Sequence, residues 1–209
     1  MRRSQFEPMD QYIPEGERGS AQIVHFEVSQ QDSDRTAMRA AFGRPETFVP
    51  AGRYVRLMVN GEVMMSDTPM ERDTNQKFLD AAAGDILIAG LGIGMLLVPL
   101  FKSRKVRSIT VIEKNSDVIS LVSPALVDLG FKGFASGKYQ VIPESIFDWN
   151  PPRGARYDTI YFDIWPNITT DNLPDIEALH KKFGAYKTKG GFLDSWQRDN
   201  LLMLKSRYR

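Results

Sequence analysis

The sequence predicts an α/β fold in which a mostly parallel sheet carries helices on both faces, preceded by a small N-terminal β-hairpin region. Three observations predict it. Short apolar runs at Ile86–Ala89, Ile109–Ile112, Tyr139–Ile142, Tyr157–Ile164 and Gly190–Leu193 alternate with segments of helical spacing, and that alternation is how parallel strands joined by crossover helices read. The first run is followed at once by three glycines, Gly90-Leu91-Gly92-Ile93-Gly94. The second closes on an acid, Glu113.

That order of strand, glycine turn, helix, strand and acid is the plan of a Rossmann-like nucleotide-binding unit. Its physics is specific. A side chain on the turn would hold a ligand away from the backbone N–H groups, so glycine is required there. The acid at the tip of the second strand accepts hydrogen bonds from ribose hydroxyls, and Glu113 lies about 20 residues beyond the turn, as such units require. A dinucleotide fingerprint places its third glycine where this chain has Met95; the spacing here is Gly90, Gly92, Gly94. The G-x-G-x-G turn resembles that of class I S-adenosylmethionine-dependent methyltransferases, which implies S-adenosylmethionine as cofactor. The competing interpretation is a glycine-rich turn that binds nothing.

The chain of 209 residues has room for one well-buried domain with a small appendage, and the expected division is 1–66 for the arm and hairpin and 67–209 for the nucleotide-binding unit. Hydrophobic and charged contents of 42% and 25% are ordinary for a globular protein. A net charge of +1 and the lack of a basic stripe interleaved with aromatics argue against a nucleic-acid partner. With no cysteine and only His25 and His180, far apart, no metal site is expected. No apolar run is long enough to span a membrane, and the N-terminus is too polar for a signal peptide, so a cytoplasmic location is expected.

Along the chain, Met1–Ser20 is polar and broken by Pro8, Pro14, Gly16 and Gly19, and reads as an irregular arm. Ala21–Ser29 alternates as a half-buried strand with His25 on its polar face. A short helix is expected over Arg35–Ala41, in a stretch able to cover a pocket. Tyr54–Ser66 flanks Asn60-Gly61, the dipeptide of a type I′ turn, and predicts a hairpin. A helix then follows Pro69, with Gly84 as its stop. Asn115 or Ser116 caps a helix reaching about Leu129 and ending at Gly130, with Pro124 placed to split it. Asn172–Phe183 is a further helix. Only 16 residues follow Leu193, too few for a sixth and seventh strand with their helix. Either the sheet is truncated or its edge is covered by the N-terminal hairpin or by a second copy of the chain, and self-association into a homo-oligomer is the expectation.

In an open parallel sheet ligands sit beyond the carboxyl ends of the strands. The residues presented there are Gly90, Gly92 and Gly94, then Glu113, then Glu144-Ser145, then Asp163 and Trp165. Three carboxylates beside a glycine turn suit a cationic, polyhydroxylated cofactor: Glu113 for the ribose, Glu144 near the adenine amino group, Ile146 or Trp165 against the purine, and Asp163 nearest the reacting group. Any one acid at a strand end is ordinarily a solvated cap; it is their register with the turn that counts.

The hairpin before the unit, with ILIAGLGIG, VIEK, VIPESIFDW and YDTIYFDIWP, resembles the spermidine synthase family over roughly Tyr54–Asp194. That resemblance implies ribose binding by Glu113, adenine binding by Glu144, and an Asp163 that orients or deprotonates an attacking amine. The chain departs from the family at Pro166, where a second aspartate is usual, and in MMSDTPMERDTNQ, where only Asn75-Gln76 resemble its polyamine-holding residues. The expected activity is an S-adenosylmethionine-dependent transfer, foremost methylation of a small nucleophile, with Asp163 as the catalytic acceptor. The alternatives are aminopropyl transfer from decarboxylated S-adenosylmethionine to a polyamine, or a non-catalytic adenosyl-binding module.

Overall fold

The computed structural model describes residues 5–41, 48–128 and 138–207. Its centre is a five-stranded sheet built from β5 (Gly84–Ala89), β6 (Val106–Glu113), β7 (Tyr139–Pro143), β8 (Tyr157–Phe162) and β9 (Lys187–Ser195), in the order β7-β6-β5-β8-β9. Every neighbouring pair is parallel. Successive residues point to opposite faces, and both faces are covered. Ile86 and Ile88 pack in one core with Phe78, Leu97, Val118 and Val122, whereas Leu87 and Ala89 pack in the other with Leu179 and Phe183. Those partners belong to α2 (Pro69–Ala81), α3 (Leu97–Lys102) and α4 (Ser116–Asp128) on the first face and to α5 (Leu173–Gly184) on the second. This is the expected α/β, Rossmann-like architecture. Strand order reverses between β5 and β8, and that is where a cleft opens beyond the strand tips.

Ahead of it lies a separate four-stranded antiparallel sheet, β1 (Gly16–Arg18), β2 (Ala21–Val28), β3 (Gly52–Val59) and β4 (Glu62–Ser66), in sequence order. The hairpin is where the Asn60-Gly61 dipeptide places it. Both turn residues have positive φ, 52° and 80°, as a type I′ connection demands. Ile23, Val55 and Leu57 enter the same core as Ile86 and Ile88, so this sheet packs onto the first face of the parallel one. It does not cover the edge at β9. After β9 the chain turns into α6 (Arg198–Arg207), which buries Leu201 against Leu173 and Ile176.

Several local expectations need correction. The N-terminal segment is not an irregular arm throughout: Met9–Gln11 forms a 3-10 turn, Gly16–Arg18 forms β1, and Phe6, Met9 and Ile13 are buried. The buried Asp67 carboxylate ties this turn down by accepting from Met9 N and Val55 N at 2.8 and 2.7 Å while pairing with Arg72 at 2.9 Å. His25 shares the face of buried Ala21 and Ile23, and its Nε2 lies 2.7 Å from the Ile13 carbonyl oxygen rather than in solvent. Helix α1 spans Gln30–Ala41, longer than expected, and supplies no residue to the cleft described below. Helix α2 ends at Ala81 without using Gly84, which instead opens β5 at φ 67°; a Cβ there would lie 2.1 Å from the Asp158 carboxylate. Pro124 does not split α4, because Val122 and Leu126 anchor the helix to the core on both sides of it. Gly130 lies outside the described residues. No described helix is long and apolar enough to cross a membrane.

Candidate functional site

A cavity of about 310 Å³ lies beyond the carboxyl ends of β5, β6, β7 and β8, roofed by β3 and β4 of the antiparallel sheet. That is within the size range of small-molecule sites. Gly90, Gly92, Glu113, Glu144, Ser145, Asp163 and Trp165 all line it. Residues from four separate strand ends are thus brought together where the topology reverses.

The glycines have three different jobs. Gly90, at φ 98°, sits where β5 and β8 diverge, and a Cβ on it would fall 2.0 Å from the Asp163 carbonyl oxygen. Its role is to let the two strand tips approach. Gly92, at φ 53°, faces the cavity, and the space beside it holds the Met65 thioether from β4, 2.1 Å from where a Cβ would stand. Ile93 N donates to that sulfur at 3.3 Å. Gly94 does not line the cavity. At φ 74° it makes room for Leu126, so it serves the packing of α4. Helix α3 also begins later than the glycine turn implies: Gly94 N bonds Leu91 O and Leu97 N bonds Gly94 O at 3.0 and 2.9 Å, placing the helix start at Leu97. The turn itself, not the helix end, borders the cavity.

Glu113 is held by the turn it was expected to serve. Its Oε2 accepts from Leu91 N at 2.9 Å and its Oε1 from Asn115 N at 2.8 Å. A carboxylate has about four lone-pair directions, so both oxygens keep capacity for a ligand's hydroxyls. Asn115, for its part, caps α4 through Oδ1, which accepts from Asp117 N and Val118 N.

The segment after β7 is a tight turn. Ser145 O accepts from Asp148 N and Trp149 N, and Ser145 Oγ accepts from Phe147 N at 3.3 Å. The Ser145 hydroxyl is therefore engaged in shaping the turn. Lys182 of α5 fastens the turn from behind, its ammonium donating to the carbonyls of Phe147 and Trp149 at 2.7 Å each. Ile146 is buried in the second core while still bordering the cavity.

The floor of the site is a buried polar network. Tyr161 OH donates to Asn75 Oδ1 at 2.9 Å, which turns the Asn75 amide nitrogen toward Glu71 O, at 3.0 Å, and toward the Asp163 carboxylate. Asp163 borders the cavity, yet protein crowds its carboxyl, and that loss of hydration pushes it up to about 7 against the pull of the Asn75 hydrogen bond. Glu71 is pushed up to about 8, first by burial and then by the nearby Asp163 charge, while Ser66 N bonding it acts the other way. Trp196 completes the floor, its Nε1 donating to Thr74 Oγ1 at 3.0 Å.

Glu71 and Trp196 were absent from the expected site. A signal for Glu71 existed: Glu71, Asn75, Phe78 and Ala82 recur at i, i+4, i+7 and i+11, so the first two continue the buried face of α2, and both are buried.

The chain matches no protein-family model and no curated protein. Among solved structures it is similar to a S-adenosylmethionine-dependent methyltransferase from Clostridium acetobutylicum ATCC 824, at 18% identity and a TM-score of 0.39 over 57% of this chain and 45% of that one. It is also similar to the plantazolicin methyltransferase BpumL in complex with SAH, at 19% identity and a TM-score of 0.36 over 54% and 38% of the two chains. A third is M. capricolum TrmK in complex with S-adenosyl-homocysteine, at 12% identity and a TM-score of 0.43 over 60% and 50%. The similarity spans half or less of each of those chains.

Proposed function

We propose that the protein is an S-adenosylmethionine-dependent transferase that methylates a small nucleophile. The observation that supports this most is the single cavity at the strand-order reversal, lined together by the glycine turn, Glu113, Glu144 and Asp163. When bound, S-adenosylmethionine supplies an electrophilic methyl carbon whose bond to sulfur breaks, the electron pair staying on sulfur, as the acceptor's lone pair bonds the carbon.

The residues present fit such a ligand. Glu113 and Glu144 offer acceptors to ribose hydroxyls and to the adenine amino group, and Ile146 and Trp165 offer apolar surface to the purine. Met65 must leave Gly92 for a ligand to lie against the turn. Asp163 stands at the reacting end, where it orients the acceptor and takes the proton its heteroatom releases. The protein's contribution is mostly placement and exclusion of water.

One observation favours a second reading. Among the described residues, the ionisable side chains bordering the cavity are the acids Glu71, Glu113, Glu144, Asp163 and Asp175 against one base, Lys114. This imbalance suits a cofactor without a carboxylate, and so aminopropyl transfer from decarboxylated S-adenosylmethionine. Calorimetry with both cofactor forms tests the two together. Tighter binding of S-adenosylmethionine supports methyl transfer, tighter binding of the decarboxylated form supports aminopropyl transfer, and binding of neither removes both. A thermal shift with saturating NAD but not with S-adenosylmethionine would point to a dinucleotide enzyme instead.

A further inference from the structure

The turn after β7 carries Glu144 and Ile146, the groups that meet the base in the function proposed above, and Lys182 has no part in that reading. We propose that Lys182 is a positioning residue whose ammonium holds this turn in the shape that lets the site distinguish adenine from other purines. The consequence for the base rests on the transferase reading; the hold on the turn does not.

An ammonium has three N–H groups, and three carbonyl oxygens of the turn converge on that of Lys182. Phe147 O and Trp149 O lie 2.7 Å from it and Ile146 O lies 3.5 Å away. The carbonyls between them are satisfied inside the turn. Ser145 O accepts from Asp148 N and Trp149 N at 3.0 and 2.8 Å, and Asp148 O accepts from Asn150 Nδ2 at 3.1 Å. Ser145 to Trp149 thus make one helix-like turn. Its free carbonyls form a negative end, and the cation sits there with charge-assisted bonds.

Helix α5 is placed to deliver that cation. Asp175, Leu179 and Lys182 recur at i, i+4 and i+7, so they share one face. Leu179 is buried in the second core and Asp175 borders the cavity, so the face that anchors the helix also reaches the site. Trp149 supplies a second anchor, its ring stacked on Phe183 of the same helix at 6.2 Å. Ile146 is buried while bordering the cavity, and Glu144 borders it two residues earlier. Without the ammonium, the carbonyl of half-exposed Phe147 turns to water for its donor. The turn then opens from that end and carries Ile146 and Glu144 off their aim.

The test compares S-adenosylhomocysteine with its hypoxanthine analogue, which presents a carbonyl oxygen where adenine presents its amino group. Calorimetry on the unaltered chain should favour the adenine form by at least about tenfold, because the analogue sets an acceptor against Glu144. Lys182→Met, which keeps the stem and removes the donors, should cut that preference to about threefold or less. Ile176→Val, which loosens the same helix away from the turn, should leave the preference unchanged. A preference that survives Lys182→Met overturns the proposal, and so does one that Ile176→Val lowers equally. An unaltered chain that binds both forms alike overturns it too. The hold on the turn is read without ligand, from hydrogen exchange of the Asp148 and Trp149 amides, which Lys182→Met should speed by about tenfold or more. Reductive methylation of the unaltered chain, mapped by mass spectrometry, needs no variant: Lys182 should react far more slowly than exposed Lys205. Equal reactivity, or unchanged exchange, overturns the hold. A slow Lys182 and fast variant exchange in a chain that binds neither form keep the hold and sink the transferase reading.

Discussion

Tyr161 donates its phenolic hydrogen to Asn75 Oδ1 at 2.9 Å, and that one bond decides which way a fully buried amide faces. With Oδ1 so engaged, only the NH2 end can point toward Asp163. Tyr161 is itself immobilised by Phe78, whose ring stacks on it at 4.3 Å. Tyr161→Phe keeps the stack and leaves Asn75 Oδ1 without its donor. The expected cost is about 1–3 kcal/mol, the penalty for one unsatisfied buried acceptor, read from urea unfolding curves. A variant that unfolds with the unaltered protein would show that Asn75 is fixed by something else.

Gly92 and Gly94 separate a ligand surface from a packing surface, two residues apart. Gly94→Ala puts a Cβ 2.7 Å from Leu126 Cδ1 at φ 74°, so it should destabilise the fold by about 1 kcal/mol or more while leaving the affinity for S-adenosylhomocysteine of the folded fraction unchanged. Gly92→Val should abolish that binding, because the branched side chain occupies the cavity wall. Since Met65 also presses on Gly92, the decisive comparison is Gly92→Val against the double variant Gly92→Val, Met65→Ala. If the second change restores binding, the glycine is needed only to accommodate Met65.

Glu113 bridges Leu91 N and Asn115 N, and so ties the glycine turn to the cap of α4. Glu113→Ala should weaken S-adenosylhomocysteine binding by about 1–3 kcal/mol, the scale of lost charge-assisted hydrogen bonds, and should also lower stability, because two backbone donors lose their acceptor. Calorimetry and thermal unfolding of the same variant read the two effects. Loss of stability with affinity intact would reduce Glu113 to a turn brace.

What was legible in the sequence was local. The run from β5 through Gly90, Gly92 and Gly94 to Glu113 announces itself because strand, turn and acid are neighbours in the chain and each follows from backbone geometry. The hairpin at Asn60-Gly61 is legible for the same reason. Glu71 was not, since its meaning depends on Asp163, 92 positions away, and a glutamate in MERDTN reads as a solvated helix residue until the helix face is traced through Phe78. In the N-terminal segment the prolines and glycines mask the spacing of Phe6, Met9 and Ile13, whose burial needs Asp67 to satisfy the turn's backbone. Pro124 illustrates the reverse: a strong local breaker is overridden when buried residues on both sides hold the helix in place.

The raised proton affinities of Glu71 and Asp163 also fix how stability responds to pH. Unfolded carboxyl groups lose their protons near pH 4, whereas in the fold Asp163 and Glu71 keep theirs to about 7 and about 8. Between those limits the folded state binds more protons than the unfolded state. Stability therefore falls as pH rises from about 4 to about 8, by at most about 1.4 kcal/mol per pH unit for each proton in play, and levels off above. The opposite slope is the usual one for carboxylates held by ion pairs, such as Asp199 beside Lys77, whose carboxyl is lowered first by that hydrogen bond and loses its contribution only in acid. Urea unfolding of the unaltered chain and of Glu71→Gln at half-unit steps from pH 5 to 9 isolates the effect, because glutamine cannot ionise. The difference in stability between the two should grow in favour of the variant as pH rises toward 8. Parallel curves for the two proteins across that window would mean that Glu71 is charged and solvated in the folded protein.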